Sequence, residues 1–173
     1  MTRYDTLYRQ QRHALGPPTK AVWTALDRFP PPPLAVLDVG CGQGRDALPL
    51  ARKGYEVHGI DPAAAGIAQM CAEAATEGLN VTGKVCDAAS FASDRRFGLL
   101  LIDRTLHMIA EEAARHAALE NVLRCAGPPG LVLIADERAN MDGYRATLRR
   151  HDPDARPVID KPSLLLWQLA GVR

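Results

Sequence analysis

Between Ala35 and Asp61 the chain runs from a short apolar stretch through three glycines and a helical segment to a second apolar stretch and an acid. Ala35 to Val39, interrupted only by Asp38, has the length and β-branched content of a strand buried in a parallel sheet. Gly40, Gly42 and Gly44 alternate behind it, which suits a tight turn with positive φ and a backbone open to close approach. Asp46 to Lys53 has helical spacing and is stopped by Gly54, a good left-handed cap residue. Tyr55 to Ile60 is a second strand, finishing on Asp61. This order of strand, glycine turn, helix, strand and acid is one βαβ unit of a nucleotide-binding sheet.

Asp61 lies 21 positions after Gly40, at the tip of the second strand. A carboxylate there can accept hydrogen bonds from both hydroxyls of an adenosine ribose. The glycine spacing narrows the cofactor. Dinucleotide binders use G-x-G-x-x-G and rest the pyrophosphate on a helix N-terminus. Here the pattern is G-x-G-x-G, and Arg45 stands where the third dinucleotide glycine belongs.

Val36 to Gly44 resembles the first motif of the class I S-adenosylmethionine-dependent methyltransferases, and Gly59-Ile60-Asp61 resembles the acidic end of their second strand. The likeness is specific over residues 34–61 and looser to about residue 139. Within the family the chain is most similar to small bacterial proteins of the tellurite-resistance and thiopurine methyltransferase type. The resemblance implies an α/β fold, a Rossmann-like three-layer αβα sandwich. Its seven-stranded sheet would be mostly parallel, with a C-terminal antiparallel hairpin. A single domain over residues 1–173 follows: an N-terminal helical lid or edge segment (1–29), a cofactor-binding core (34–139), and a compact C-terminal helix and hairpin (140–173). The implied cofactor is S-adenosylmethionine, with S-adenosylhomocysteine as product. The implied contacts are Asp38, Gly40, Cys41, Gly42, Gly44 and Arg45 at the glycine loop, and Asp61 and Pro62 after the second strand. Asp87 after the third strand would take the adenine amine, and Ala88 would offer its backbone amide to the ring. Asp103 and Arg104 after the fourth strand, and Tyr8 from the N-terminal segment, complete the set.

The remaining chain fits this frame. Tyr4 to His13 reads as a polar helix, broken by Gly16-Pro17-Pro18; Thr19 caps a second helix reaching about Arg28, with Val22, Trp23 and Leu26 inward. Pro30 to Pro33 is a stiff polyproline-type spacer. The first helix is either a solvated element on the sheet edge or, as in the resembled family, a lid that brings Tyr4, Tyr8, Arg9 and Arg12 to the donor or substrate. Pro62 favours the first turn of an alanine-rich helix, Ala63 to Glu77, ended by Gly78. Val81 to Cys86 is the third strand, and Phe97 to Ile102 the fourth, the most apolar and so central. Glu111 to Cys125 is helical, Gly127 to Gly130 a turn, Leu131 to Ala135 the fifth strand, and Met141 to Arg150 a helix with a solvated basic face. Short strands at Pro157–Asp160 and Leu164–Leu169 end the chain.

Ligands of an open parallel sheet bind beyond the strands' carboxyl ends. The fourth strand delivers Asp103-Arg104-Thr105-Leu106-His107 there, so Asp103, Arg104 and His107 are the candidate catalytic residues. Methyl transfer from a sulfonium needs alignment and water exclusion more than acid–base groups. A thiolate or soft anion needs no base, whereas a hydroxyl does, and His107 or Asp103 is then the candidate. Arg104 and Arg138, if inward, suit an anionic substrate.

Net charge is +1 from 21 basic and 20 acidic side chains, too even to hold a polyanion, so nucleic acid is not an expected partner. Cys41, Cys71, Cys86 and Cys125 are dispersed, which fits reduced thiols; no cluster has metal-ligand spacing. With no signal core and no apolar run of membrane-spanning length, a cytoplasmic protein without a membrane partner is expected; the oligomeric state is open. Asn-Pro-Pro-Tyr and its Asp variant, signatures of amino-methylating enzymes for nucleobases and glutamines, do not follow the fourth strand. A small-molecule acceptor is the leading expectation. The alternatives are an RNA or protein methyltransferase, or a module that binds S-adenosylmethionine without catalysis.

Overall fold

The computed structural model describes residues 3–27 and 35–170. The expected end of the second helix at Arg28 and the Pro30–Pro33 spacer lie outside these residues. Two helices, α1 (Arg3–Gln10) and α2 (Lys20–Leu26), precede the sheet. The core alternates β1 (Val36–Val39), α3 (Ala47–Arg52), β2 (Val57–Asp61), α4 (Ala64–Glu77), β3 (Val81–Val85), β4 (Phe97–Asp103), α5 (Glu112–Leu123) and β5 (Ala126–Ala135). Then come α6 (Met141–His151), β6 (Arg156–Lys161) and β7 (Leu164–Leu169). Most expected boundaries hold within a residue or two, the usual uncertainty of element ends.

The strand order is β3-β2-β1-β4-β5-β7-β6. The first five strands are parallel, β7 runs antiparallel to β5, and β6 pairs antiparallel with β7. Strand periodicity splits the apolar side chains between two faces. Leu37, Leu100, Ile102 and Ile134 pack one face against Leu119 and Val122 of α5 and Tyr144 and Leu148 of α6. Val36, Val57, Leu99 and Leu101 pack the other against α2, α3 and α4 through Val22, Leu48, Leu50 and Met70. All seven residues of β4 are buried, as a strand covered on both faces requires. The result is the three-layer αβα sandwich, with its seven strands and terminal hairpin.

Two local expectations are corrected. Gly127-Pro128-Pro129-Gly130 is not a turn before β5 but lies within it as a bulge. Phe97 of β4 pairs with Ala126, whereas Leu99 already pairs with Leu131. Prolines cannot donate to a ladder, so the intervening residues loop out and pairing resumes beyond them. Thr19 occupies the N-cap of α2 without making a side-chain cap; its hydroxyl donates instead to Asp103 Oδ2 at 2.7 Å. That bond ties the N-terminal segment to the end of β4. Among the described residues no helix is long and apolar enough to cross a membrane.

Candidate active site

The strand order reverses between β1 and β4, and a cavity of about 660 Å³ opens beyond their carboxyl ends. Gly40, Cys41, Arg45, Asp61, Pro62, Asp87, Ala88, Asp103, Arg104 and His107 all line it, with Tyr8 from α1. Asp38, Gly42 and Gly44 lie behind this lining, and Arg138 is exposed away from it. Another cavity, of about 700 Å³, lies among Arg96, Arg124 and His151, and none of the expected site residues reaches it.

The glycine loop is shaped by its protein neighbours. Gly40, Gly42 and Gly44 have φ of 77°, 52° and 84°, the left-handed region that favours glycine. A Cβ at Gly40 would strike Thr105, one at Gly42 would lie 2.5 Å from the Tyr8 hydroxyl, and one at Gly44 would meet Met70 and Leu48. Its amides turn inward, Gly40 N and Cys41 N donating to Ile60 O and Gly42 N to Asp61 Oδ2. Gly42 and Gly44 therefore make room for α1, α3 and α4, and of the three glycines Gly40 is the one that lines the cavity.

Four buried carboxylates converge beneath and beside that edge. Asp61 accepts Gly42 N on Oδ2 at 2.9 Å and Ala63 N on Oδ1 at 2.7 Å, so each oxygen is held with lone-pair capacity left. Burial raises its pKa, against the pull of those two amides. Asp103 Oδ2 receives Arg45 Nη2 at 2.5 Å as well as Thr19, while its buried Oδ1 has no donor. Burial again raises the pKa, opposed by the Thr19 hydroxyl and Arg45. Asp38 is driven well above its ordinary value by burial and then by repulsion from Asp46; its Oδ2 also lacks a donor. Asp46 accepts Arg45 and the Trp23 indole. Arg45 thus faces several carboxylates, and the charge of Arg104 also acts on Asp103. Asp87 differs: it is exposed, and its pKa is lowered because Oδ1 accepts the Ser90 hydroxyl and amide, both at 2.8 Å. Burial holds the Cys41 thiol protonated, so it is no nucleophile.

His107 sits in a short 3-10 turn after β4. Its Nδ1 is 3.1 Å from Asp136 Oδ1, aligned for charge contact rather than for a formed hydrogen bond. Asp136, at the tip of β5, also accepts the His107 amide at 3.1 Å, the Glu137 amide at 2.7 Å and the Tyr144 hydroxyl at 3.0 Å. Asp136 stands directly after the fifth strand, whose carboxyl end faces the cleft; Tyr144 carries no sequence signal, since it arrives on α6.

α1 lies over the cavity. Tyr4 and Tyr8 line it, whereas Arg9 pairs with Asp5 and Arg12 approaches Glu73, both directed outside. Asp5 Oδ1 accepts Ala65 N at 2.8 Å at the start of α4, Gln69 donates to Tyr8 O, and Gln43 bonds Ala14 N, Gln11 O and Gln69. These glutamines were also missed, because nothing in their spacing marks a meeting of three segments.

Residues 36–130 match the family described as a methyltransferase domain. The chain is 35% identical over 133 residues to the 2-heptyl-1-hydroxyquinolin-4(1H)-one methyltransferase of Mycobacteroides abscessus, covering 73% of this chain and 57% of that protein. Among solved structures, TehB from Haemophilus influenzae has a TM-score of 0.67 at 18% identity, over 88% of this chain and 62% of that one. The glycopeptide N-methyltransferase MtfA, solved with S-adenosylmethionine, has a TM-score of 0.67 at 16% identity, over 86% and 91%. At such identities the structures speak to fold alone. The chain belongs to the methyltransferase-domain family, within the class I S-adenosylmethionine-dependent methyltransferases. It spans about half the length of the curated relatives it matches.

Proposed function

We propose that the chain transfers the methyl group of S-adenosylmethionine to an oxygen of a small acceptor, with His107 as the base. The observation that carries this reading is the His107–Asp136 pair at the cavity. Asp136 Oδ1 stands 3.1 Å from Nδ1, which would leave Nε2 as the nitrogen for an acceptor hydroxyl. The Mycobacteroides abscessus relative, named for a hydroxyquinolone, supports an oxygen acceptor.

The residues present fit the cofactor. The donorless, buried Asp103 Oδ1, in a cavity that Asp61 also lines, suits a ligand bearing an ammonium and a sulfonium. Asp61, already held by two amides, would accept the ribose hydroxyls. Asp87 Oδ2 would take the adenine amine, Ala88 the ring edge through its amide, and Ile60 and Pro62 its apolar faces. Arg45 holds Asp103 in place rather than meeting the ligand first. When bound, S-adenosylmethionine supplies a methyl group made electrophilic by positively charged sulfur. His107 Nε2 accepts the hydroxyl proton as the acceptor oxygen becomes nucleophilic, and Asp136 steadies the imidazolium that forms. Tyr4 and Tyr8 act as part of a lid that keeps water from the reacting groups.

The test is methyl transfer from labelled S-adenosylmethionine to hydroxylated aromatic compounds, run beside RNA and protein fractions. Label in the small-molecule ether product, lost in His107→Ala, is expected. Label only in macromolecules, or in small molecules regardless of His107, contradicts the reading.

A further inference from the structure

We propose that the acceptor is a flat hydroxyaromatic compound carrying a carboxylate, and that the guanidinia of Arg104 and Arg3 bind that carboxylate at the mouth of the cavity. This rests on the methyltransferase reading and adds the acceptor's class. Most arginines of the described chain are already engaged: Arg9 with Asp5, Arg45 with Asp46 and Asp103, Arg52 with Glu73 and Glu77, Arg145 with Asp142 and Asp160, Arg150 with Glu120. Arg3 and Arg104 are exposed, line the cavity, and have no ion pair or hydrogen-bonded side-chain partner among the described residues. The Arg104 charge acts on Asp103 without bonding to it, so two guanidinia without a bonded partner line one cavity and can take a carboxylate.

The backbone points the same way. Arg104 has φ of 57°, a conformation that a side-chain-bearing residue adopts at a cost and that glycine or asparagine would take more easily. It is fixed there by Arg104 N donating to Ala135 O at 2.8 Å, and by Thr105 Oγ1 donating to Val39 O next door at 2.9 Å. An arginine at this position serves its side chain, not its backbone.

The cavity also has apolar lining. Tyr4, Leu15, Met108 and Ile109 line it; Leu15 is 43% and Met108 49% exposed, two of the large hydrophobic side chains left open among the described residues. The Tyr4 hydroxyl donates to Met108 Sδ at 3.8 Å. Aromatic and aliphatic lining of this kind favours an aromatic body, in a cavity lined both by the buried carboxylates of Asp61 and Asp103 and by the exposed Arg3 and Arg104. The acceptor's charge is therefore opposite to the donor's.

The experiment compares 3-hydroxy-2-naphthoate with 2-naphthol, which differ by the carboxylate alone, by calorimetric titration into protein saturated with S-adenosylhomocysteine. The naphthoate should bind the native protein roughly tenfold or more tightly than the naphthol. Arg104→Gly, which keeps the backbone conformation accessible, should reduce that preference to about threefold or less, Arg104→Lys should restore part of it, and Arg3→Ala should weaken it less. Equal affinities, no naphthoate binding, or a preference indifferent to Arg104→Gly overturns the proposal while S-adenosylhomocysteine binding stands. Failure of S-adenosylhomocysteine itself to bind removes the methyltransferase reading, and this acceptor with it.

Discussion

At Asp136 one buried carboxylate serves two amides and a phenol and stands 3.1 Å from an imidazole, so its geometry is over-determined by the fold. His107 inherits that rigidity. His107→Ala should lower the rate on a neutral hydroxyl acceptor by about 10²–10⁴, with S-adenosylhomocysteine affinity little changed. The loss should shrink as the acceptor's own hydroxyl becomes more acidic, because an oxygen that ionises unaided needs no base. A series of substituted phenols compared in native and variant protein checks this, and a uniform loss across the series contradicts it. That Asp61, Asp87, Asp103 and His107 line one cavity was legible because strand ends in a parallel sheet must meet at one edge. Tyr144 was not, since its approach to Asp136 depends on how α6 crosses the sheet.

Among elements, α1 is the one whose role the chain left open. A helix of eight residues is too short to stand alone in water, and tertiary contacts must hold it. Asp5, Gln43 and Gln69 provide them, and Tyr8 wedges between Gly42 and Gly66. Deleting residues 2–14 should therefore weaken S-adenosylmethionine binding by roughly tenfold or more, measured by calorimetry; unchanged affinity would show α1 to be a packing element alone. Gly66→Ala is helix-compatible in itself, yet its Cβ would come within 2.8 Å of the Gly42 backbone. It should lower stability by about 1–3 kcal/mol in urea unfolding. Strands and the alanine-rich α4 were readable from apolar runs and from Gly78, which adopts φ of 66° at the helix end. The Gly127–Gly130 bulge was not, because the same residues suit a turn, and only the register with β4 distinguishes the two.

Across the whole molecule the near-neutral sequence hides a strong local imbalance, with acids gathered under the glycine loop. The raised pKa values of Asp38, Asp61 and Asp103 mean that the folded, ligand-free protein holds protons more tightly than the unfolded chain. Their contribution favours folding most at pH below the ordinary carboxyl value, and is lost as pH rises through the raised values. Asp38→Asn should thus be clearly more stable than the native protein near pH 8 and little changed near pH 4. Paired urea titrations at both values isolate this effect, because the lowered pKa values of His58 and His151 act alike in both proteins. A variant equally destabilised at both values would contradict it.

Calorimetric titration with S-adenosylmethionine and S-adenosylhomocysteine, beside Asp61→Ala, tests the cofactor assignment on which every other step depends. The expected result is affinity of about micromolar order for both ligands, weakened by roughly a hundredfold in the variant. No binding of either ligand to the native protein, or binding indifferent to Asp61, would contradict it.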